Sequence, residues 1–153
     1  MFFMLFRTHF LFGVFLFLVM YNLVEVWWLF LIGLLFGVLI VDLDSKKSKV
    51  GNYFVFRPLQ FFVKHRGFMH SLLFGFLLMV VFSMFSVNVA FGLIVGFLSH
   101  LFLDCLTKQG VMLFWPVSTK RIGFFIKSGG LVEDVLFVFL LLLNIFMVFM
   151  VFW

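Results

Sequence analysis

The sequence has little charge and too few polar residues to cover a soluble core. Charged residues make up 11% of the 153 residues and hydrophobic residues make up 66%, whereas an average soluble domain is roughly 25% charged. A soluble chain of this size needs far more polar surface. These figures exclude a normal soluble globule, a disordered protein and a nucleic-acid-binding tail. They indicate a small membrane protein with several spans.

Cysteine is almost absent as well. Cys105 is the only cysteine, so an intrachain disulfide is impossible. Residues 1–21 lack a cleavage site of small residues, and the polar residues Arg7, Thr8 and His9 interrupt the start of this apolar segment. We therefore predict that the segment is a retained span rather than a signal peptide.

Long apolar runs are what the sequence has in abundance. A helix needs about 20 mostly apolar residues to cross a membrane, and five stretches come close to that length. They predict an all-α, polytopic membrane protein with about five transmembrane helices in a single domain, residues 1–153. The predicted spans are residues 3–23, 26–41, 69–85, 87–106 and 131–153, and the long polar connections are residues 42–68 and 107–130.

The basic residues all fall on one side of this topology. With five spans, the N-terminus and both long connections lie on the same side, and together they contain all 11 lysines and arginines. The opposite side contains Glu25 as its only charged residue. The positive-inside rule places the N-terminus and both connections in the cytoplasm. The sequence therefore predicts a multi-pass protein of the inner (plasma) membrane.

Two segments of the connections are expected to lie at the membrane surface. Arg57 and Pro58 can begin a short helix that continues through Lys64, with Gly67 as its terminator. Residues 111–117 are apolar but too short to span, which suggests a re-entrant or interfacial segment.

The ionisable residues of the spans are predicted to meet at one level. With a rise of about 1.5 Å per residue, Asp42, His70 and Asp104 lie about 24 to 25 Å from the outer turns, and His100 lies about 18 Å from its turn. His9 lies about 20 Å or more along the first span. Four helices therefore bring these residues together just inside the cytoplasmic face, although they are far apart in sequence.

The chemistry of these residue types favours a bound cation. His100 and Asp104 are four residues apart and therefore share one helix face. Asp42 and Asp44 stand where the second span ends, although acidic residues suit helix N-termini rather than C-termini. Histidine and aspartate are ligands of Zn²⁺, Mn²⁺ and Fe²⁺. Carboxylates clustered in a dry pocket repel one another unless a cation is present.

Each of these residues also has a structural interpretation. A lone histidine or aspartate in a span can form a hydrogen bond between helices, or it can extend to the membrane interface. Arg66 could bind a phosphate or be one more cytoplasmic charge, and Ser71 could cap a helix or act as a nucleophile. Glu133 could be no more than a favourable charge in the first turn of the fifth span.

The motifs that carry these residues resemble those of the YdjM-like family, which is described as LexA-binding, inner-membrane-associated metal-dependent hydrolases. The resemblance covers nearly the whole chain. Thr8-His9 is similar to the family's N-terminal Thr-His motif, and Asp42-Leu43-Asp44 is similar to its Pro-Asp-x-Asp motif. Residues 65–71 resemble its His-Arg-Gly-x-Thr-His-Ser motif, and residues 96–104 resemble its Ser-His-x-x-x-Asp helix. Glu133 resembles its last acidic position.

The chain departs from the family pattern at three positions. Val41 stands where the family has proline, Ser45 where it often has histidine, and Met69 where it has threonine. Ser45 removes a side chain that could bind a metal, and Met69 removes a hydroxyl group. The other histidines and aspartates of the motifs are present.

The resemblance implies a metal-dependent hydrolase with its site at the cytoplasmic membrane face, acting on a phosphoester or a lipid. One or two divalent cations, with zinc as the first choice and manganese or iron as alternatives, would be held by ligands from four spans: His9, Asp42, His70, His100 and Asp104. Three further residues would orient the ligands, bind the metal themselves or act as the catalytic base: Asp44, His65 and Glu133. Arg66 and Lys64 would hold an anionic group of the substrate.

Membrane lipids are the expected partners, and the family resemblance adds a LexA-like regulator. Direct binding to nucleic acid is not expected. Two other functions stay open, which are transport of a metal ion or proton and a regulatory role without catalysis. Histidine and aspartate within a membrane also build ion pathways, but the outer halves of the five spans contain almost no polar residue to continue one.

Overall fold

Helices form most of the chain, which confirms the predicted all-α class. The computed structural model describes residues 6–45, 51–62 and 66–153. The α-helices of these residues are α1 (Phe6–Met20), α2 (Trp27–Ile40), α3 (Arg57–Phe62), α4 (Leu72–Ser83), α5 (Val87–Leu106) and α6 (Leu131–Phe152). Short 3-10 turns cover Tyr21–Leu23, Val41–Asp44, Phe54–Phe56 and Phe68–His70.

Four helical segments of the described residues are long and apolar enough to cross a membrane. They are Phe6–Leu23, Trp27–Asp44, Val87–Leu106 and Leu131–Val151. This finding confirms a polytopic membrane protein. The assignment of the N-terminus to the cytoplasm stays a prediction.

The predicted span 69–85 is shorter than expected as a helix. Its helix, α4, has 12 residues and therefore a length of about 18 Å, against about 30 Å for the hydrocarbon core. The helix begins late because Ser71 caps it, with its Oγ atom accepting a hydrogen bond from the Phe74 amide at 3.2 Å. The residues before Ser71 form a separate 3-10 turn that carries His70. The capping interpretation of Ser71 is thus confirmed.

Helices α2 and α5 pack with their backbones in direct contact. A Cβ atom added to Gly37 would lie 2.2 Å from the Leu93 carbonyl oxygen, and one added to Gly96 would lie 2.1 Å from the Leu34 carbonyl oxygen. One turn earlier in each helix, two more glycines make the same kind of contact: Gly33 and Gly92. Each helix therefore carries the small-x-x-x-small spacing that lets membrane helices approach closely.

The other helices pack around this pair. Helix α4 lies against α5, where Gly75 leaves room for the Phe97 ring, and α6 packs mainly against α1. Asn144 of α6 is buried and its amide donates a hydrogen bond to the Leu11 carbonyl of α1 at 3.1 Å. A buried amide that bridges two helices is a common stabilising contact in membrane proteins.

The second long connection, residues 107–130, is folded rather than helical, and we call it the strap. Val111 and Ile122 exchange two backbone hydrogen bonds of 3.0 and 2.9 Å, and Thr107 forms a bridge with Ile126. The Leu72 amide donates to a strap carbonyl at 2.9 Å. The strap is therefore attached to the start of α4 and to the end of α5, and the apolar segment 111–117 lies within it.

The first long connection contains the short helix α3. Its Gln60 side chain donates hydrogen bonds to the carbonyls of Leu43 at 2.8 Å and Gly51 at 2.6 Å. This helix begins at Arg57, as the sequence predicts. Its predicted continuation to Lys64 lies outside the described residues.

The backbone contact between α2 and α5 predicts that a methyl group added within the contact destabilises the protein more than one added outside it. We expect Gly37→Ala to destabilise the protein by about 2 kcal/mol or more, because the helices must separate to make room. Gly13→Ala is the matched control, since its Cβ would meet two side-chain methyl groups, those of Val38 at 3.1 Å and Leu34 at 3.3 Å, and no backbone atom, and it should cost less than about 1 kcal/mol. The free energy of unfolding in detergent micelles measures both. Equal costs for the two variants would contradict the packing described.

Candidate metal centre

The same end of the helix bundle gathers histidines and aspartates from several elements. These side chains come from four elements, which are the start of α1, the 3-10 turn after α2, the 3-10 turn before α4 and the last turns of α5. We call this group the donor cluster, and its members are His9, Asp42, Asp44, His70, His100 and Asp104. The structure thus brings together all five predicted metal ligands, with Asp44 beside them.

Asp104 lies at the centre of the donor cluster. Its Oδ1 atom is 3.9 Å from His9 Nε2. Its Oδ2 atom is 3.3 Å from His70 Nε2 and 3.8 Å from His100 Nε2. All four side chains are buried. Donor atoms of His9, His100 and Asp104 lie within 4.8 Å of one another, a grouping that could hold a metal ion.

His100 is oriented by the backbone of α2. Its Nδ1 atom lies 2.8 Å from the Val38 carbonyl oxygen. A carbonyl only accepts, so Nδ1 carries the proton and Nε2 presents its lone pair. That Nε2 atom faces Asp104 and also Asp42, whose Oδ1 is 3.8 Å away. The His9 ring stacks on the His100 ring with centroids 4.0 Å apart. A hydrogen bond from the other ring nitrogen to a backbone carbonyl, as His100 makes to Val38, commonly fixes the orientation of a metal-binding imidazole.

His70 is supported in a similar way by Asp44. The Asp44 Oδ2 atom lies 3.3 Å from His70 Nδ1, which is the ring nitrogen that does not face Asp104. The same Oδ2 atom accepts a hydrogen bond from the Arg66 amide at 3.1 Å. The structure therefore places Asp44, a predicted catalytic residue, behind His70 as an orienting carboxylate.

Arg66 points into the protein, toward Asp104. Its guanidinium is buried and donates to Asp104 Oδ1 at 2.8 Å, to Thr107 Oγ1 at 3.3 Å and to the Gly110 carbonyl at 3.2 Å. Its backbone has φ of 60°, a left-handed conformation that is uncommon for residues other than glycine. The predicted phosphate-binding arginine is thus a partner of Asp104 in this structure.

Glu133 lies where the start of α6 meets α1. Its carboxylate is buried, and it accepts hydrogen bonds from Thr8 Oγ1 at 3.2 Å and from the Gly129 amide at 2.6 Å. These contacts hold the start of α6 to α1. The neighbouring Asp134 forms an exposed ion pair with Arg7. Glu133 therefore acts as a junction between helices, beside the donor cluster.

Two predicted site residues, Lys64 and His65, lie outside the described residues. Their proposed roles in substrate binding and catalysis stay predictions.

The net charge of the donor cluster is negative enough for a divalent cation to balance it. Within the described residues, three buried or mostly buried carboxylates, those of Asp42, Asp44 and Asp104, lie near the guanidinium of Arg66, which pairs with Asp104. With neutral histidines the group keeps two negative charges, which is costly in a dry interior. Donor atoms on one tetrahedral zinc ion lie about 3.4 Å apart, given bonds of about 2.1 Å, and the separations around Asp104 run from 3.3 to 3.9 Å. The residues therefore fit a divalent metal.

The backbone contact between α2 and α5, which positions His100, was not predicted from the sequence. The Val38 carbonyl can reach His100 only because α2 and α5 touch at their glycines. The signal that could have found it is the spacing of four between glycines, at residues 33–37 and again at residues 92–96.

Comparison with known proteins gives a family and relatives that agree with each other. Residues 4–153 match a family described as YdjM inner membrane protein. The chain is 31% identical over 121 residues to the uncharacterized protein YvsG of Bacillus subtilis, an alignment that covers 76% of each chain. It is 33% identical over 99 residues to the inner membrane protein YdjM of Escherichia coli, which covers 59% of this chain and 50% of that protein. No solved structure matches significantly.

The buried pair of Arg66 and Asp104 should be strongly coupled. We expect Arg66→Met to lower the free energy of unfolding by about 3 to 5 kcal/mol, because it leaves the Asp104 carboxylate buried without its cation. The same change in an Asp104→Asn background should cost much less. Arg7→Met is the matched control, since its pair with Asp134 is exposed and should contribute less than about 1 kcal/mol. An equal cost of Arg66→Met in both backgrounds would show that the pair is not coupled.

Proposed function

The chain belongs to the YdjM family of multi-pass inner membrane proteins, and we propose that it is a hydrolase that depends on a divalent metal ion. The observation that carries the proposal is the donor cluster, in which three histidine rings from three elements converge on the buried carboxylate of Asp104. Single histidines that only join helices would not need a shared carboxylate and separate orienting contacts for two of the rings.

Four residues are the proposed ligands of the ion: His9, His70, His100 and Asp104. Nitrogen-rich sets of this kind suit zinc best. A divalent cation would also bring the cluster to zero net charge, since Arg66 already balances one of the three carboxylates. The proposal is therefore one cation per chain, with Arg66 as the permanent positive charge.

The proposed chemistry is attack by water on a phosphoester or ester. A divalent cation in such a site polarises the substrate oxygen and lowers the pKa of a bound water to about 7. Asp42 is the proposed general base, because its carboxylate is 21% exposed while that of Asp104 is 4% exposed. It faces His100 Nε2 at 3.8 Å and can take a proton on the open side of the cluster.

The first test is the metal content of the purified protein. We expect about one divalent ion per chain in the wild type and its loss in His100→Ala and Asp104→Asn, because each removes a ligand. Asp134→Asn is the matched control, since this exposed carboxylate lies outside the donor cluster and its removal should leave the metal content unchanged. Stoichiometric metal that survives both ligand changes would contradict the ligand assignment. A wild type that binds no divalent ion would contradict the proposed function.

The second test is hydrolysis of phosphoester and lipid substrates by the metal-loaded protein. We expect activity that a chelator abolishes and that added zinc restores. Asp42→Asn should lower kcat by a factor of about 10² to 10⁴, as expected for removal of a general base, while the metal content stays near that of the wild type. Metal flux in proteoliposomes without any hydrolysis would favour the transporter alternative instead.

A further inference from the structure

An apolar groove lies beside the donor cluster. It has a volume of 420 Å³, and its walls are the first residues of α4, Leu72 and Leu73, and residues 113–118 of the strap. The groove walls are almost entirely apolar, and Val117 is 94% exposed. Grooves of this size accept small or elongated apolar ligands.

The groove and the donor cluster share one wall. Leu72 follows His70 by two residues, and its amide is hydrogen bonded to the Leu113 carbonyl at 2.9 Å. The Phe68 ring packs edge-on against Trp115 with centroids 5.2 Å apart. The segment from Phe68 to Leu72 therefore carries His70 of the donor cluster and Leu72 of the groove wall.

The surface at the end of the groove is strongly basic. The strap has no acidic residue and carries four basic ones, all exposed: Lys108, Lys120, Arg121 and Lys127. The Lys120 amide donates to Ser118 Oγ at 3.2 Å, so the basic pair at 120–121 begins where the groove ends. Exposed Phe124 and Phe125 follow. Basic and aromatic side chains side by side are typical of surfaces that contact anionic lipid.

A second groove on the same molecule provides a contrast. It also has a volume of 420 Å³, but it lies on α6, and the charged residue in its wall is the acidic Asp134, beside apolar residues such as Val138. The groove of the strap differs because two basic residues follow its last lining residue in sequence, and because Leu72 of its wall lies two residues after His70 of the donor cluster.

We propose that the groove of the strap holds an acyl chain of an anionic phospholipid, whose phosphate contacts Lys120 and Arg121, and that this lipid is the substrate of the donor cluster. The inference rests on the proposed function. Hydrolysis would add water across the phosphoester bond, with the hydroxyl group joining phosphorus and the proton going to the leaving oxygen. A soluble phosphate ester could use the same cations, but it would have no use for the groove.

The experiment measures labelling by a phosphatidylglycerol that carries a photoreactive group in its acyl chain, with the full-length protein in lipid nanodiscs. Phosphatidylcholine with the same group is the zwitterionic comparison, and glycerol phosphate is the soluble competitor. Val117→Trp fills the groove, and Lys120→Gln with Arg121→Gln removes the cations. Val138→Trp is the matched control in the groove of α6.

We expect phosphatidylglycerol to label the groove of the strap more strongly than phosphatidylcholine. Val117→Trp should reduce that labelling about tenfold, because each buried methylene of a chain contributes to binding. The charge variant should remove the preference for phosphatidylglycerol, and Val138→Trp should change neither. Folding is checked by the metal content of each variant. Val117→Trp and the charge variant should raise KM for phosphatidylglycerol with little change in kcat, and Val138→Trp should change neither constant.

Three outcomes would overturn the inference. Equal labelling of both grooves, unaffected by Val117→Trp, would show ordinary contact with bulk lipid. Hydrolysis of glycerol phosphate that matches hydrolysis of phosphatidylglycerol, with no effect of Val117→Trp, would identify a soluble substrate. Labelling that depends on Val117 and on the cations, without lipid hydrolysis by the zinc-loaded protein, would reject lipid as the substrate. If that protein also hydrolyses no other ester, the proposed function fails as well.

Discussion

The backbone contact between α2 and α5 is the interaction on which the rest of the structure depends. Apolar side chains gain little by leaving lipid for a helix interface, so membrane helices associate through close packing. Four glycines provide that packing here, and they bring the Val38 carbonyl to 2.8 Å from the His100 imidazole. A Cβ atom at any of these positions would lie within 2.2 Å of a carbonyl oxygen of the facing helix, so α2 and α5 would have to separate. The orientation of His100 is therefore a consequence of helix packing.

The donor cluster imposes an opposite requirement, because it buries charge. Removing carboxylates from water is costly unless cations and hydrogen bonds compensate for the lost hydration. Arg66 supplies the compensating charge for Asp104. It lies in an irregular segment, and its own backbone has φ of 60°. The shortness of α4 follows from the same need. If helix continued back to residue 69, the 3-10 turn that holds His70 against Asp44 could not form.

The sequence predicts the helices and the level of the site better than its internal contacts. The hydropathy of the spans and the alternating direction of successive spans place His9, His70 and Asp104 at one end of the bundle, because the level of a residue follows from its distance along its span. Hydropathy says nothing about Arg66, since a residue in an irregular loop has no periodicity to indicate whether it faces inward. The contacts of Glu133 could not be predicted for a related reason. Its partners are Thr8 and a backbone amide, and no spacing rule encodes a backbone amide.

The strap links two layers of charge at this end of the molecule, which are the buried pair of Arg66 and Asp104 and the exposed basic residues of the strap itself. On its inner side, Thr107 and the Gly110 carbonyl hold the guanidinium that balances Asp104. On its outer side, it exposes its four basic residues. Changes to its inner residues would disturb the ion pair and the surface together. Lys120 and Arg121 are exposed and lie outside the inner contacts, so they are the positions where the outer layer can be altered while the Arg66–Asp104 pair stays intact.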